Sequence, residues 1–367
     1  MTLMSSLLRL RRRSAEGDVA AQIELGLLCE QCGRLEEGMN WLSLAARHGD
    51  PTALTLVGVR LISGPYAPRI AARGPELLAE AMGRGSGEAA LRLACLHATG
   101  VYMSKDWSLA LDLLERAAEL GCFEARIELS VLADGPGAIR KPAAGAASRL
   151  RDRIDIDSWT RARETVTLNA APRIVAVEAF VPRRARDWIV EQARPGLARA
   201  EVYDPVTGQT SLSAERTNRA ANFGLANTNL VILALQEALS ATVGADLARA
   251  EGASVLCYAP GERAGEHFDF LDPAVPAYQR EIASQGQRVA TGLVYLNDDF
   301  GGGATDFPAL GLSHTPRAGG ALLFSNVTPA GDPDLRSLHA GRPPRDASKW
   351  VLSCFVRSRV RLPVSPP

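Results

Sequence analysis

Long hydrophobic runs and an excess of one charge are both missing from this 367-residue chain. No stretch reaches the roughly 18 apolar residues that a membrane span needs. The 41 basic residues balance 41 acidic ones, which gives no sign of a nucleic-acid partner. At the amino terminus the arginine cluster follows a short apolar part, whereas a secretory signal places its charge first. We therefore expect a cytoplasmic protein without membrane segments.

Cysteine and lysine are also scarce. The six cysteines are scattered and do not form the spacing of a disulfide framework. The one close pair, Cys29 and Cys32, has no second pair or matching histidines nearby, so helix packing is favoured over a metal or redox site. Only three of the 41 basic residues are lysine. A lysine at a functional position is therefore informative against this arginine background.

The amino-terminal part contains a repeated pattern. A glycine followed by small or acidic residues recurs at intervals of 32, 38 and 34 residues, at Gly17, Gly49, Gly87 and Gly121. Alanine-rich stretches precede three of these positions, at residues 41–48, 77–84 and 109–120. Each unit is predicted to form a helix, a turn and a second helix that ends at a glycine. Small residues would let neighbouring helices approach closely, and each unit would bury its apolar face by stacking on the next.

This pattern resembles Sel1-like repeats, which are related to the tetratricopeptide class, and the resemblance covers about residues 15–134. It implies an all-α repeat domain over residues 1–134. A Gly/Pro turn cluster at 134–137 and a polar stretch after it indicate a linker over residues 135–170, with a short helix near 143–154.

The remaining residues, 171–367, alternate between helical and strand-like segments. Helices are predicted at 183–194 and 230–248, and strands at 173–181, 254–258, 288–296, 321–324 and 350–360. Glycine- and proline-rich turns separate the strands. Helices first and several short strands later favour an α+β unit that closes on an antiparallel jelly roll.

His267 and Asp269 form a His-x-Asp pair, which is a candidate for metal binding. In extended structure both side chains point to the same side, so an imidazole nitrogen and a carboxylate oxygen can converge on one metal ion. A later histidine, His314 or His339, would complete a facial triad and leave three coordination positions open. Alone, the pair is weak evidence, because many such pairs occur by chance and the proline at residue 273 is typical of a surface turn.

Four ordered motifs around this pair resemble the prolyl 4-hydroxylase-like dioxygenases that depend on 2-oxoglutarate and iron(II). They are Tyr258 and Gly261 before His267 and Asp269, a strand ending at 295–298, the Gly-Gly-x-Thr-x-Phe-Pro segment 302–308, and His339 followed by Lys349 and Trp350. The resemblance covers about residues 173–361 and implies a double-stranded β-helix, that is, a jelly roll with flanking helices.

The resemblance also implies the roles of individual residues. His267, Asp269 and His339 would be the iron ligands and catalytic centre, and His314, which lies before Pro316, would be a surface loop residue. Lys349 would bind the far carboxylate of 2-oxoglutarate, with Tyr258 and Thr305 bonding the same cosubstrate. The reaction implied uses O₂ and converts 2-oxoglutarate to succinate and CO₂ while a substrate is hydroxylated; ascorbate is a candidate reductant. Substrate contacts would come from Arg216 and Trp350.

One residue departs from the family pattern and leaves the identity of the substrate undetermined. Members that act on peptides commonly carry tyrosine three residues before the His-x-Asp pair, and this chain has Ala264 there. Our leading hypothesis is a hydroxylase of a protein or peptide side chain, proline first, with the repeats recruiting a partner. One alternative is a hydroxylase of a free amino acid or small metabolite whose repeats form a homo-oligomer. A non-catalytic scaffold is the other, but all three ligands and Lys349 are present.

Overall fold

The computed structural model describes residues 3–64, 66, 70, 72–133, 147–204, 209–315 and 317–360. The chain divides into two compact units. The first is built mainly from Met1–Ser130 and the second mainly from Ile154–Leu362. Among the described residues, no helix has the length and apolar character needed to cross a membrane.

The first unit is helical, as the repeat pattern predicts. Its helices are α1 (Leu3–Ala15), α2 (Val19–Gln31), α3 (Leu35–Arg47), α4 (Pro51–Ser63), α5 (Arg73–Gly83), α6 (Gly87–Thr99), α7 (Trp107–Glu119), α8 (Phe123–Leu132) and α9 (Ala147–Arg151). Consecutive helices from α1 to α7 pack against one another. Their buried side chains are mainly alanine and leucine.

The turns between the predicted units show the true register of the repeat. Left-handed glycines stand at equivalent positions: Gly17, Gly49, Gly85 and Gly121. In the third unit the turn glycine is thus Gly85 and not Gly87, so the last two intervals are both 36 residues. Ser86 then caps α6 by accepting a hydrogen bond from the Ala89 amide, just as Asp50 caps α4. Gly87 is the first helical residue, which the sequence pattern alone did not distinguish.

Close helix packing in this unit depends on small residues, as expected. Where α2 and α3 cross, Gly26 and Gly38 face each other. A Cβ atom on Gly38 would lie 2.8 Å from the Gly26 carbonyl oxygen, which is too close for any side chain. The helices therefore approach backbone to backbone at this point.

The segment predicted as a linker is partly structured. Residues 135–146 lie outside the described part of the chain. Further on, α10 (Ile156–Thr160) and strand β1 (Val166–Asn169) belong to the second unit. Strand β1 pairs with β2 (Ile174–Val177). The second unit thus begins before residue 171.

The second unit combines helices with antiparallel sheets. Its helices are α11 (Arg183–Ala193), α12 (Leu230–Thr242) and α13 (Pro276–Gln285), of which α13 was not predicted. Its further strands are β3 (Ala198–Arg199), β4 (Glu201–Asp204), β5 (Gln209–Leu212), β6 (Arg219–Phe223), β7 (Ala253–Tyr258), β8 (Ala264–His267), β9 (Arg288–Tyr295), β10 (Thr305–Phe307), β11 (Leu312–His314), β12 (Ala321–Ser325), β13 (His339–Gly341) and β14 (Lys349–Arg357).

Two sheets enclose the core of this unit. The larger has the order β1-β2-β12-β9-β14-β7-β6-β3 and the smaller has the order β11-β10-β13-β8, while β4 and β5 form a separate hairpin. One hydrophobic cluster contains residues from both sheets, including Tyr258, Tyr295, Phe307 and Phe324. The sheets therefore pack face to face, which confirms the predicted jelly roll. The predicted ligand positions lie on the small sheet, and Lys349 lies on the large one.

Candidate metal centre and cosubstrate cavity

The three predicted metal ligands come together. Strands β8 and β13 pair so that His267 and His339 are register partners, and their ring centroids are 4.3 Å apart. Asp269 lies two residues after the end of β8. Its Oδ1 is 3.5 Å from His267 Nε2, and its Oδ2 is 3.4 Å from His339 Nε2. One ligand atom from each residue lies within 4.8 Å of the others. The two strands thus present a facial set of two imidazole nitrogens and one carboxylate.

Backbone hydrogen bonds orient both imidazoles. His267 Nδ1 lies 2.8 Å from the Gly265 carbonyl oxygen, and His339 Nδ1 lies 3.1 Å from the Ser337 carbonyl oxygen. A carbonyl can only accept, so each Nδ1 carries the proton and each Nε2 lone pair faces the common centre. Phe324 packs edge-on against the His339 ring at 4.7 Å. Both rings are therefore held in the tautomer that a metal ligand requires.

The electrostatics of the three groups favour a bound cation. Burial lowers the pKa of His339 to about 4, against the opposing effect of Asp269, so this imidazole is neutral at pH 7. Burial opposes the charged form of His267 as well, but its bond to Asp269 outweighs burial and raises its pKa. For Asp269, burial is outweighed by the two imidazoles and the Thr291 hydroxyl, so its pKa is lowered. The site thus holds a buried carboxylate that stabilises positive charge beside it.

A narrow cavity of about 60 Å³ opens beside these ligands. Its lining joins the two sheets and includes the three ligands together with Arg216, Tyr258, Ala264, Thr305 and Lys349. His339 and Asp269 are 4% and 8% exposed, whereas the side chain of His267 is 41% exposed. The cavity is therefore open to solvent on the His267 side.

Lys349 is the buried cation of this cavity. It is 3% exposed, and its Nζ donates a 2.7 Å hydrogen bond to the Gly303 carbonyl oxygen. Gly303 has a positive φ of 69°, and a Cβ there would lie 2.5 Å from the Phe300 ring, which explains the glycine in the Gly-Gly motif. Burial lowers the pKa of Lys349 to about 8 despite the opposing charge of Asp306. Within the described part of the chain, no carboxylate lies within ion-pair distance of Nζ.

Two tyrosines and a threonine surround this ammonium group. Its Nζ lies 5.6 Å from the Tyr258 ring centroid and 5.5 Å from that of Tyr295. The Tyr295 hydroxyl is 3.0 Å from Thr305 Oγ1. Burial raises the pKa of Tyr258 to about 12 and raises that of Tyr295 as well, so both phenols stay protonated and can donate hydrogen bonds. Tyr295 had no predicted role, although it lies in the motif at residues 295–298.

His314 is not the surface loop residue expected from the sequence. It lies on β11, pairs with Thr305 across the small sheet, and is half-buried. Its ring stacks on Tyr295 with centroids 5.7 Å apart. Burial and the nearby Lys349 charge both lower its pKa. His314 therefore packs behind the Lys349 end of the cavity, and the histidine that lies beside His267 and Asp269 is His339.

The two predicted substrate residues lie on different faces. Arg216 forms an isolated bridge with Ala264 and lines the cavity, where its Nε lies 3.4 Å from Asn218 Oδ1. Trp350 lies on β14 next to Lys349, and adjacent strand residues point to opposite faces. It lies outside the cavity lining, with the Arg194 guanidinium 5.2 Å from its ring centroid. The structure thus brings Arg216, but not Trp350, to the metal centre.

Residues that the sequence motifs did not identify support Asp269. Thr291 on β9 donates a 2.7 Å hydrogen bond to Asp269 Oδ2, and Asn326 Nδ2 donates to Thr291 Oγ1 at 2.9 Å. The Gln287 amide bonds both the N–H and the carbonyl of Leu271, two residues after the ligand. The only sequence signal was strand alternation, which places Thr291 on the same face as Tyr295.

The donor set and the cavity fit Fe(II) and 2-oxoglutarate. Two imidazoles and one carboxylate are the facial ligands of non-haem Fe(II) oxygenases, and carboxylate oxygens bind divalent ions readily. An ammonium group buried in the same cavity without a carboxylate partner suits one end of a dicarboxylate. Three ligands on one side leave space for the other end to chelate the metal.

Comparison with known proteins agrees with this geometry. Residues 253–357 match the model of the 2OG-Fe(II) oxygenase superfamily. The chicken (Gallus gallus) prolyl 4-hydroxylase subunit alpha-1 is 32% identical over 188 residues, which cover 51% of this chain and 36% of that subunit. The chain therefore spans about a third of the length of this curated relative.

Two solved structures are similar to separate parts of the chain. The viral collagen prolyl hydroxylase of Paramecium Bursaria Chlorella virus-1, in its 2OG complex, is 23% identical with a TM-score of 0.40, and covers 51% of this chain and 96% of its own. A Sel1 repeat protein from Oxalobacter formigenes is 21% identical with a TM-score of 0.32, and covers 40% of this chain and 61% of its own. Residues 253–357 thus match the 2OG-Fe(II) oxygenase superfamily, and the carboxy-terminal part of this chain is similar in sequence to prolyl 4-hydroxylase alpha subunits.

Proposed function

We propose that this protein is a 2-oxoglutarate- and Fe(II)-dependent hydroxylase of a protein or peptide side chain, with proline as the first candidate. One observation carries the proposal. The His267–Asp269–His339 ligand set and the buried ammonium of Lys349 line the same narrow cavity. A metal site alone would suit many functions, but a metal site with a buried cation beside it matches a chelating dicarboxylate.

Each residue has a defined task in this proposal. His267, Asp269 and His339 would hold Fe(II), which supplies the activation of O₂ that couples decarboxylation of 2-oxoglutarate to hydroxylation of a C–H bond. Lys349 would bind the far carboxylate by a charge-assisted hydrogen bond. The neutral phenol of Tyr258 would donate to the cosubstrate, and Thr305, bonded to Tyr295, would fix its orientation. The surrounding apolar residues limit the access of water.

The substrate would approach from the His267 side, where the cavity is open. Arg216 lines this opening, and among the described residues no carboxylate forms an ion pair with it. A guanidinium at this position can bind a peptide carbonyl or a carboxylate of the substrate. The relatives named above are prolyl hydroxylases, which favours proline. Helical repeats commonly present surfaces for proteins, and this favours a protein substrate over a free metabolite.

Ala264 sets the breadth of the substrate pocket. It is buried in the cavity wall, at the position where family members that act on peptides commonly carry tyrosine. A wall without that ring leaves room for a side chain larger than proline. This feature favours, as a second candidate, the hydroxylation of a longer side chain such as arginine, lysine or asparagine.

Product analysis tests the proposal. Purified protein is incubated with Fe(II), 2-oxoglutarate, ascorbate and a library of proline-containing peptides, and mass spectrometry detects a gain of one oxygen atom together with succinate. We expect both products from the wild type and neither from His267→Ala. His48→Ala, which removes an exposed histidine elsewhere, is the matched control and should match the wild type. Oxygen gain on a free amino acid but on no peptide would support the small-metabolite alternative.

Three finer features belong to the same proposal. We place the enzyme in the cytoplasm, because its six scattered cysteines lack the spacing of a disulfide framework. Ascorbate would serve as reductant for the iron. A homo-oligomer formed through the repeats is the alternative use of the first unit, and light scattering of the purified protein would detect it.

A further inference from the structure

The supporting contacts of Asp269 form a chain through the core of the second unit. Thr291 and Asn326 are 1% and 0% exposed, and they link the ligand on one sheet to β9 and the end of β12 on the other. Thr291 stands between the register partners Phe324 and Phe355, so the hydrogen bond to Asp269 lies in an apolar setting. Hydrogen bonds to charged groups are strengthened in such surroundings.

The direction of these hydrogen bonds follows from the chemistry of the groups. An ionised carboxylate has no proton to donate, so the single proton of the Thr291 hydroxyl must point to Asp269 Oδ2. The Thr291 oxygen can then only accept from the third partner, and the amide Nδ2 of Asn326 supplies that donor at 2.9 Å. Asn326 therefore fixes the polarity of the Thr291 hydroxyl.

We propose that Thr291, supported by Asn326, is a positioning residue that makes Asp269 a monodentate metal ligand. This inference rests on the proposed function. Both carboxylate oxygens face the histidines, since Oδ1 lies 3.5 Å from His267 Nε2 and Oδ2 lies 3.4 Å from His339 Nε2. Because Thr291 already donates a hydrogen bond to Oδ2, Oδ1 would be the oxygen that binds the metal. If both oxygens bound, the aspartate would occupy one of the three positions that 2-oxoglutarate and O₂ require. The hydroxyl would thus preserve an open position on the metal as well as orient the ligand.

Thr291→Val tests this role, because valine has nearly the shape of threonine and carries a methyl group in place of the hydroxyl. Loss of an outer partner of a metal ligand typically weakens metal affinity by roughly 10- to 100-fold. Binding of Co(II) is followed by visible absorption, whose intensity also reports the coordination number, and 2-oxoglutarate binding to the Co(II) protein is followed by calorimetry. We expect weaker Co(II) binding, a spectrum of altered coordination number, and weaker 2-oxoglutarate binding.

Matched variants separate positioning from packing. Thr291→Ser keeps the hydroxyl and should restore the wild-type spectrum and affinity. Thr242→Val removes a buried, hydrogen-bonded hydroxyl from α12, away from the ligands, and should leave Co(II) binding unchanged. Thr291→Ala is made in parallel, so that a folded variant without the hydroxyl is measured even where valine perturbs packing.

The outcomes distinguish this inference from the proposed function. Wild-type spectra and affinities in Thr291→Val and Thr291→Ala, beside a wild type that binds both Co(II) and 2-oxoglutarate, would overturn the positioning role alone. A folded wild type that binds no Co(II) would overturn the proposed function and this inference together. Weakening in Thr291→Val that Thr291→Ser does not rescue would show a packing effect and would also overturn it.

Discussion

Replacing Lys349 with methionine should have opposite effects on stability and on cosubstrate binding. Methionine has a similar length, remains apolar and lacks the charge. In the free protein the Lys349 ammonium is 3% exposed, with a carbonyl and two aromatic rings around it. A buried cation without a carboxylate partner destabilises the folded state, so its presence requires a reason other than stability.

The size of this destabilisation follows from the pKa of Lys349. Burial lowers that pKa from 10.5 to about 8, and a difference of about 2.5 corresponds to roughly 3 kcal/mol against the charged form. The hydrogen bond to Gly303 returns about 1 kcal/mol, so Lys349→Met should raise the free energy of unfolding at pH 7 by about 2 kcal/mol. Since the unfolded lysine binds more protons between about pH 8 and 10.5, wild-type stability should rise relative to the variant across that range.

Cosubstrate binding should change in the other direction. The far carboxylate of 2-oxoglutarate would lose the buried ammonium that binds it, and truncating one partner of a buried charge pair costs about 2–5 kcal/mol. The dissociation constant of 2-oxoglutarate should therefore rise by roughly 30-fold or more.

Two assays on the same samples measure both effects. Denaturant unfolding of the metal-free protein gives stability, and calorimetry of the Co(II)-loaded protein gives 2-oxoglutarate affinity. Lys105→Met, which removes an exposed lysine from the first unit, is the control and should leave the affinity unchanged. Unchanged 2-oxoglutarate affinity in Lys349→Met would refute the cosubstrate role. A loss of stability with unchanged affinity would make Lys349 a structural residue.

Three further predictions concern the ligands, the pH dependence and the substrate. His267→Ala and Asp269→Ala should each abolish Co(II) binding while the circular dichroism spectrum stays that of the wild type; full turnover by both variants would refute the ligand assignment. Affinity for 2-oxoglutarate should be constant below about pH 8 and fall above it, because binding needs the Lys349 ammonium, whose pKa is about 8; calorimetry over this range checks it, and an affinity that does not fall contradicts it. A chain starting at Ile154 should retain slow 2-oxoglutarate decay but lose most peptide turnover, since remote binding energy would be gone; equal hydroxylation of a free amino acid by both chains contradicts a protein substrate.

Much of the metal centre could be predicted because its residues lie in short local motifs. The His-x-Asp spacing predicts that both side chains point to the same side of an extended segment, and in the structure the ligand atoms of His267 and Asp269 lie within 4.8 Å of each other. The third ligand could be chosen between His314 and His339 only through the resemblance to a known family. Its cross-strand pairing with His267 is a long-range contact that no local pattern encodes.

The supporting contacts could not be predicted for the same reason. Thr291 has an ordinary place in a strand of alternating residues, and its role depends on Asp269, which precedes it by 22 residues. Asn326 reaches the same group from a different strand. The error on His314 has a related cause: a proline two residues later suggested a loop, whereas pairing with Thr305 keeps the histidine in a sheet. Contacts between strands that are distant in the sequence thus determine the roles of Thr291, Asn326 and His314, and local sequence patterns do not reveal them.

The proposed function requires that a single cavity holds Fe(II) chelated by 2-oxoglutarate. Anaerobic addition of 2-oxoglutarate to the Fe(II)-loaded protein, followed by visible absorption, tests it, because the chelate has a charge-transfer band that neither component shows alone. We expect the band to saturate at one 2-oxoglutarate per chain in the wild type and to be absent in Asp269→Ala. A folded wild-type protein that binds Fe(II) but develops no band on addition of 2-oxoglutarate would contradict the account.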